Sequence, residues 1–328
     1  MEITPALRKR FADDTSIPIK VYVDPVFVDR LDLFDPFFDS NAKWNQFVGM
    51  LSQFKTEDEY VTYFHLLKEG IIHEINGHSD YYEFTEHFHL ESAPQNTGFP
   101  RKDIYHADNI GQEFLSIDMR RANFNSLRHY SPDIFKGAAT WEEYISKYTS
   151  FPHLIKSKRL RETILGCCRC SDKQITYEKW LTDKFLTDLL TVIDPRSVCY
   201  FSHDEIVLRL TDTDIGSKLN EVGKIIDAAP VPFKAERFKL YGIGFDGKYP
   251  EAFMRDKYAV GEFDFKKVDN IEMPYVIREL RGQNATRDDG LFMHEKGAAY
   301  LINPITVQFY KTPTQQIDLF GAAQGPHL

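Results

Sequence analysis

SVCYFSHDEIVLRL, residues 197–210, places an acidic break between two apolar runs. Val198, Cys199, Tyr200 and Phe201 form the first run, Ser202, His203, Asp204 and Glu205 interrupt it, and Ile206, Val207 and Leu208 resume it. The pattern predicts a β-hairpin with its acids at the tip. Short apolar runs of this kind belong in a sheet interior, where adjacent carboxylates are costly unless water or a cation meets them at the sheet's end. A solvated turn that happens to be acidic fits this stretch equally well when it is taken alone.

A second stretch, FLSIDMRRANFNSLRHY at residues 114–130, tips that balance. Phe114, Leu115 and Ile117 predict a short strand ending in Asp118, and Ala122, Leu127 and Tyr130 fall near helical spacing just after it. Two carboxylates on neighbouring strand ends suit a pair of Mg2+ ions, because Mg2+ takes hard oxygen ligands, uses only one or two carboxylates and leaves positions for phosphates. The formal net charge of −9 argues against a polyanion partner only if charge is evenly spread. Between Ser116 and Cys170 ten Lys or Arg stand against five Asp or Glu. That excess reads either as a triphosphate and backbone site or as a solvated helix face.

Ser202-His203-Asp204-Glu205-Ile206-Val207 resembles the palm hairpin of family A DNA polymerases, V-H-D-E-[IL]-V. Leu115 to Ser131 resembles that family's first palm motif, with Asp118, Leu127 and His129 at the Asp, Leu and His positions. Lys156 to Gly166 resembles its fingers helix, with Arg161 at the Lys position, Leu165 at the aromatic and Gly166 at the Gly. The helix expected over Ile215–Ile226 and the strand entered through Pro230-Val231-Pro232-Phe233 are similar to the close of its palm.

The resemblance spans about Phe114 to Leu240 and implies an α+β fold: an antiparallel palm over 114–245, with a short helical fingers insertion at about 140–190. It implies that Asp118 and Asp204 hold Mg2+ or Mn2+, with Glu205 orienting water on a metal as a third catalytic group. Met119, through its backbone carbonyl, and Asn123, Lys158 and Arg161 would contact the nucleotide. Nucleoside triphosphates and a DNA or RNA primer and template would be the partners. His203 would fix the hairpin, its side chain directed to the face opposite Asp204.

The departures define alternatives. Asp204 follows Asp118 by only 86 positions, which shortens the fingers, and no exonuclease-like region is present. Asn123 stands where the family carries a Glu that screens the sugar, and Leu165 replaces the aromatic behind the base pair. An untemplated terminal nucleotidyltransferase is one alternative. A catalytically inactive palm-like scaffold that binds nucleic acid or regulates a partner is another. A small polymerase without accessory nucleases suits a mobile element or virus.

The rest of the 328 residues, with 42% apolar and 14% aromatic side chains, predicts an ordinary globular chain. The first twelve residues hold no apolar signal core, and no run of eighteen uncharged apolar residues occurs, so a soluble, cytoplasmic protein with no membrane partner is expected. Residues 1–113 read as an N-terminal α/β region. It has a strand at Ile19–Val23, a helix at Trp44–Phe54, and a capped helix opening at Thr56 and Glu59 and ending at Asn76-Gly77. His73 and His78 lie too far apart in sequence for the zinc-protease helix motif. His87 and His89 would share one side of a strand, and the polar stretch before Pro100 reads as a linker.

Thr140 and Glu143 open another capped helix, which Pro152 should stop, and Tyr177–Leu190 reads as a helix with a core-facing stripe. Cys167, Cys168 and Cys170 are spaced too tightly to supply tetrahedral zinc. Residues 246–328 read as a small β-rich region whose tail, after Pro313, frays. Lys257, Lys266 and Lys267 among Phe253, Tyr258, Phe263 and Phe265 suit either half-buried strands or a single-strand-binding groove.

Overall fold

A computed structural model describes the chain except for residues 88–89, 91–97, 169–170, 211–214, 259–261, 295–296, 313–314 and 318–328. The helices are α1 (Pro5–Thr15), α2 (Val26–Phe38), α3 (Ser40–Leu51), α4 (Glu57–Gly77), α5 (Ser79–Glu86), α6 (Ala122–Tyr130), α7 (Trp141–Ile145), α8 (Pro152–Lys156), α9 (Lys158–Cys167), α10 (Ser171–Leu189), α11 (Ile215–Ala228) and α12 (Met273–Leu280). The strands are β1 (Glu113–Met119), β2 (Val198–Phe201), β3 (Glu205–Leu210), β4 (Phe233–Phe245), β5 (Ala252–Lys257), β6 (Glu262–Lys266), β7 (Leu291–His294), β8 (Gly297–Tyr300), β9 (Val307–Thr312) and β10 (Gln315–Ile317). The fold is α+β, with mostly antiparallel strand pairing.

Two compact units share the chain: one takes Met1, Met50–Asp103 and Glu113–Arg237, the other Glu2–Gly49, Ile104–Gln112 and Phe238–Leu328. This grouping cuts across the three segments expected from sequence, because stretches before residue 50 and after residue 237 belong to one unit.

In the first unit β3 lies between β1 and β2, paired antiparallel with both. Leu115 faces Leu208 and Ile117 faces Ile206, and these four side chains are buried. Ile206, Val207 and Leu208 are buried in succession, which is why their run shows no polar alternation. Helices supply the cover. Phe124 and Leu127 of α6 and Leu181, Phe185 and Leu186 of α10 are all buried, and Phe185 stacks on Phe233 at 4.1 Å. α4 begins and ends where its capping signals place it: Thr56 Oγ accepts the Glu59 N–H at 3.2 Å, and Glu59 accepts the Lys55 N–H at 2.8 Å. Its Tyr60, Leu67, Ile71 and Ile75 are buried.

In the second unit β4 pairs with β5 from Phe238↔Lys257 to Ile243↔Ala252, and with β9 from Gly242↔Tyr310 to Phe245↔Val307. Gly242 and Gly244 are therefore strand residues. A Cβ at Gly244 would lie 2.6 Å from the Lys248 carbonyl oxygen, so only glycine lets the chain fold back there. Asp289 ties this unit together: its carboxylate accepts from Arg30 Nη1 at 2.7 Å, Arg278 Nε at 2.6 Å and the Thr286 N–H at 2.6 Å. Burial pushes that carboxyl up, but the Thr286 N–H and the two guanidiniums outweigh it and hold it below the usual carboxylate range.

Several expectations are corrected. Ile19 to Val23 forms no strand: Ile19 and Val21 are buried and Lys20 is exposed, so the alternation is real, but no ladder partner is present among the described residues. The expected N-terminal α/β region is thus helical as described, from α1 to α5. His87 caps α5, so no strand carries it, and His89 and most of the expected linker lie outside the described residues. Pro152 opens α8 rather than only ending what precedes it, because proline suits the first helical turn.

At the expected lysine cluster, Lys257 fits the half-buried-strand alternative, while Tyr258 is exposed and Lys267 lies over the Tyr105 and Phe253 rings. Lys257 is buried against Asp264 at 3.0 Å, Phe253 is buried, and Phe263 and Phe265 pack on Phe37. These are half-buried strands. Cys170 and most of the tail lie outside the described residues, while Gln315–Ile317 pairs with β9.

Replacing Asp289 by Ala leaves Arg30, only 3% exposed, without its buried counter-charge. Urea unfolding is expected to show a loss of about 3–5 kcal/mol, whereas Asp24→Ala, which removes an exposed partner of Arg8, should cost about 1 kcal/mol or less.

Candidate active site

The β1–β3 register sets Asp118 directly opposite Glu205. Paired positions of an antiparallel ladder share a face, and like charges there repel. Ser116, two residues earlier and so on the same face, relieves part of that cost by donating its hydroxyl to Glu205 Oε1 at 2.6 Å. One step beyond the pair, the Met119 N–H donates to the Asp204 carbonyl at 2.8 Å, which brings Asp204 beside the end of β1. The Asp118, Asp204 and Glu205 predicted from sequence are thus assembled at one end of one strand pair.

The hairpin tip is shaped by hydroxyls. Ser202 Oγ accepts the Glu205 N–H at 3.0 Å and lies 3.0 Å from Asp204 Oδ1. Thr182 of α10 donates to the His203 carbonyl at 2.8 Å, pinning the tip to the helix. His203 Nε2 is 3.5 Å from Asp204 Oδ1, so its side chain does not point to the opposite face. The backbone bends between β2 and β3, and strict side-chain alternation holds only within a strand.

Glu178, one turn before Thr182 on α10, was not singled out by sequence reasoning. It is 5% exposed, accepts from Gln174 Nε2 at 3.1 Å, and has Ser126 Oγ 3.5 Å away. Burial pushes its carboxyl up to about 7; the Gln174 hydrogen bond and His203 oppose the rise, and the negative charge of Asp204 adds to it. The signal was present in the sequence: Gln174, Glu178 and Thr182 recur every four residues as a polar stripe on the face that also buries Tyr177, Leu181 and Phe185.

The nucleotide-binding residues expected from the resemblance divide. Met119 is buried, leaving its backbone to act. Asn123 is held by its carbonyl, which accepts from Gln174 Nε2 at 2.6 Å. Lys158 is exposed and pairs along its own helix with Glu162 at 3.5 Å. Arg161 is partly buried on α9, with its Nε enclosed and without a hydrogen-bond partner. Burial first, and then the positive charge of Arg121, push its guanidinium down. Arg121, three residues past Asp118, enters α6 in a left-handed conformation at φ 46° and forms an ion pair with Glu142 of α7. It too was missed, since sequence alone did not distinguish it from Arg120.

Among the described residues, no group of three or more His, Cys, Asp or Glu side chains is arranged to hold a metal ion. The donors present, two strand-end carboxylates and a nearby backbone carbonyl, are hard oxygens in the number Mg2+ takes from protein before water and phosphate complete its shell. They do not match a structural zinc site, whose closed tetrahedral set is built from Cys and His.

Because Glu178 binds its proton more tightly folded than unfolded, its contribution to stability is fully present below the unfolded pKa and is lost as pH rises to about 7. Glu178→Gln should therefore match the parent protein near pH 4.5 and exceed it by roughly 2–3 kcal/mol in urea unfolding at pH 8. Equal stability at pH 8 would refute a raised Glu178. No protein-family model, no curated protein and no solved structure matches this chain.

Proposed function

We propose that the chain is a nucleotidyltransferase that adds nucleotides to a nucleic-acid 3′ end, with the compact palm-like arrangement that the sequence resembles. The observation that carries this reading is the β1–β3 register, which pairs Asp118 with Glu205 and joins Met119 to Asp204. A strand-end carboxylate on β1 and a hairpin-tip carboxylate beside it are the two protein ligands such chemistry needs. When bound, Mg2+ or Mn2+ would supply Lewis acidity at the α-phosphate and lower the pKa of the attacking 3′-hydroxyl.

The chain's own residues have distinct tasks in this reading. Asp118 and Asp204 would hold the cations, Glu205, held by Ser116, would position water beside them, and Arg161 would offset triphosphate charge. Lys158 adds general positive potential from an exposed position. Gln174 fixes Asn123 where the sugar would pass. No helix among the described residues is long and apolar enough to cross a membrane.

The test is extension of a labelled primer, with and without template, by each of the eight nucleoside triphosphates in Mg2+ or Mn2+. Asp118→Asn and Asp204→Asn should each slow extension roughly a thousandfold, or about 4 kcal/mol of transition-state stabilisation. Extension that needs no template would select the terminal-transferase form. Absence of extension, with parent and variants binding nucleic acid equally, would replace the enzyme with a binding scaffold.

A further inference from the structure

Threonine in a helix ordinarily turns its hydroxyl back on the carbonyl four residues earlier. α10 carries three threonines, and two of them do this: Thr176 donates to the Asp172 carbonyl and Thr187 to the Asp183 carbonyl, both at 2.9 Å. Thr182 behaves differently. Its Oγ lies 3.0 Å from the Glu178 carbonyl of its own helix and 2.8 Å from the His203 carbonyl at the hairpin tip. A hydroxyl has one proton to give, and the shorter contact takes it out of the helix. Thr182 is fully buried, so its hydroxyl works where a hydrogen bond is stronger than in water.

That bond has a counterpart one residue on. The Asp204 carbonyl accepts the Met119 N–H at 2.8 Å, so the backbone is held by α10 just before Asp204 and by β1 just after it. Ser202 Oγ, accepting the Glu205 N–H at 3.0 Å, closes the turn. α10 is itself fixed: Gln174 donates to the Asn123 carbonyl at 2.6 Å, about 12 Å from Thr182 along the helix, and Phe185 stacks on Phe233. The anchors around Asp204 end on backbone oxygens and leave its carboxylate 34% exposed.

We propose that Thr182 is a positioning residue for divalent-cation binding: its hydroxyl, with the Met119 N–H, sets the backbone on either side of Asp204 so that the carboxylate meets the cation already in place. The cation rests on the nucleotidyl-transfer reading; the two anchors do not. A carboxylate on an unpinned turn has to be ordered at the moment of binding, and that ordering weakens affinity. Side chains that hold metal ligands by hydrogen bonds remove this cost, and losing one weakens metal binding by about ten- to a hundredfold. The Met119 anchor is backbone and survives any substitution. Thr182 is the anchor that a mutation can remove.

The experiment is calorimetric titration of the full chain with Mn2+ alone, without nucleotide or nucleic acid. Thr182→Val keeps the shape and loses the hydroxyl, and should weaken Mn2+ binding by about tenfold or more. Thr182→Ser keeps the hydroxyl and loses a methyl group, and should bind within about twofold of the parent. A packing role at this buried position predicts the opposite order, because serine leaves a cavity and valine does not. Thr187→Val, which removes a hydroxyl bonded within α10, controls for threonine loss on that helix. In EDTA, amide hydrogen exchange over residues 198–210 should quicken about tenfold in Thr182→Val and stay at the parent rate in Thr182→Ser.

Far-ultraviolet circular dichroism confirms that each variant is folded. In primer extension, Thr182→Val should need about tenfold more Mn2+ for half its maximal rate and come within about twofold of the parent at saturation. Thr182→Val that binds Mn2+ as the parent does, or Thr182→Ser as weak as Thr182→Val, overturns the proposal. A parent protein that binds no Mn2+ overturns it together with the two-metal reading. A parent that binds Mn2+ and extends no primer, with Thr182→Val still about tenfold weaker, would leave the role of Thr182 standing and remove the enzyme.

Discussion

The antiparallel register between β1 and β3 is the constraint on which the site depends. A slip of one residue would turn every β3 side chain to the other face, separating Glu205 from Asp118 and burying a carboxylate where Ile206 now sits. Leu115 against Leu208 and Ile117 against Ile206 prevent that slip, because each misplaced pair would expose apolar surface and bury charge. The register irregularity between Val198 and Tyr200 lies on the other side of β3 and leaves the β1 pairing unbroken. Stability and site geometry thus share the same apolar contacts.

Holding acids together at a sheet end has a cost that the surroundings offset in pieces. Ser116 donates to Glu205, Ser202 lies against Asp204, and Thr182 pins the His203 carbonyl to α10. Each hydroxyl contributes about 1 kcal/mol where it satisfies a partner, less than two adjacent carboxylates lose when water is thinned around them. Glu178 meets the problem differently: burial raises its carboxyl to about 7, so it holds its proton more tightly than an ordinary carboxyl. A helix that had to bury a full negative charge beside Asp204 would pack there far less well.

Local chemistry made some of the chain legible. Thr56 with Glu59 and Thr140 with Glu143 announced their helices through side chains that bond backbone three residues away. The hairpin at Val198–Leu210 was readable because turn and strands are contiguous. What failed depended on distant partners. Ile19–Val23 has the alternation of a strand, but whether it pairs is decided by other segments. Lys257 looked cationic in one dimension and is paired with Asp264 of the next strand. The role of Asp289 is set by Arg30, 259 positions away. Resemblance supplied the pair Asp118 and Asp204 across 86 residues, which spacing alone would not have joined.

The two groups of charges are separated in a way that bears on their use. A side-chain arrangement set only by stability would give every enclosed donor a partner. Instead Ser116 and Ser202 serve the acids at the strand ends, Glu142 serves Arg121, and the Arg161 Nε has no hydrogen-bond partner. An enclosed donor left without a partner forfeits stability. Natural chains retain such local inconsistency mainly where a ligand later supplies what is missing.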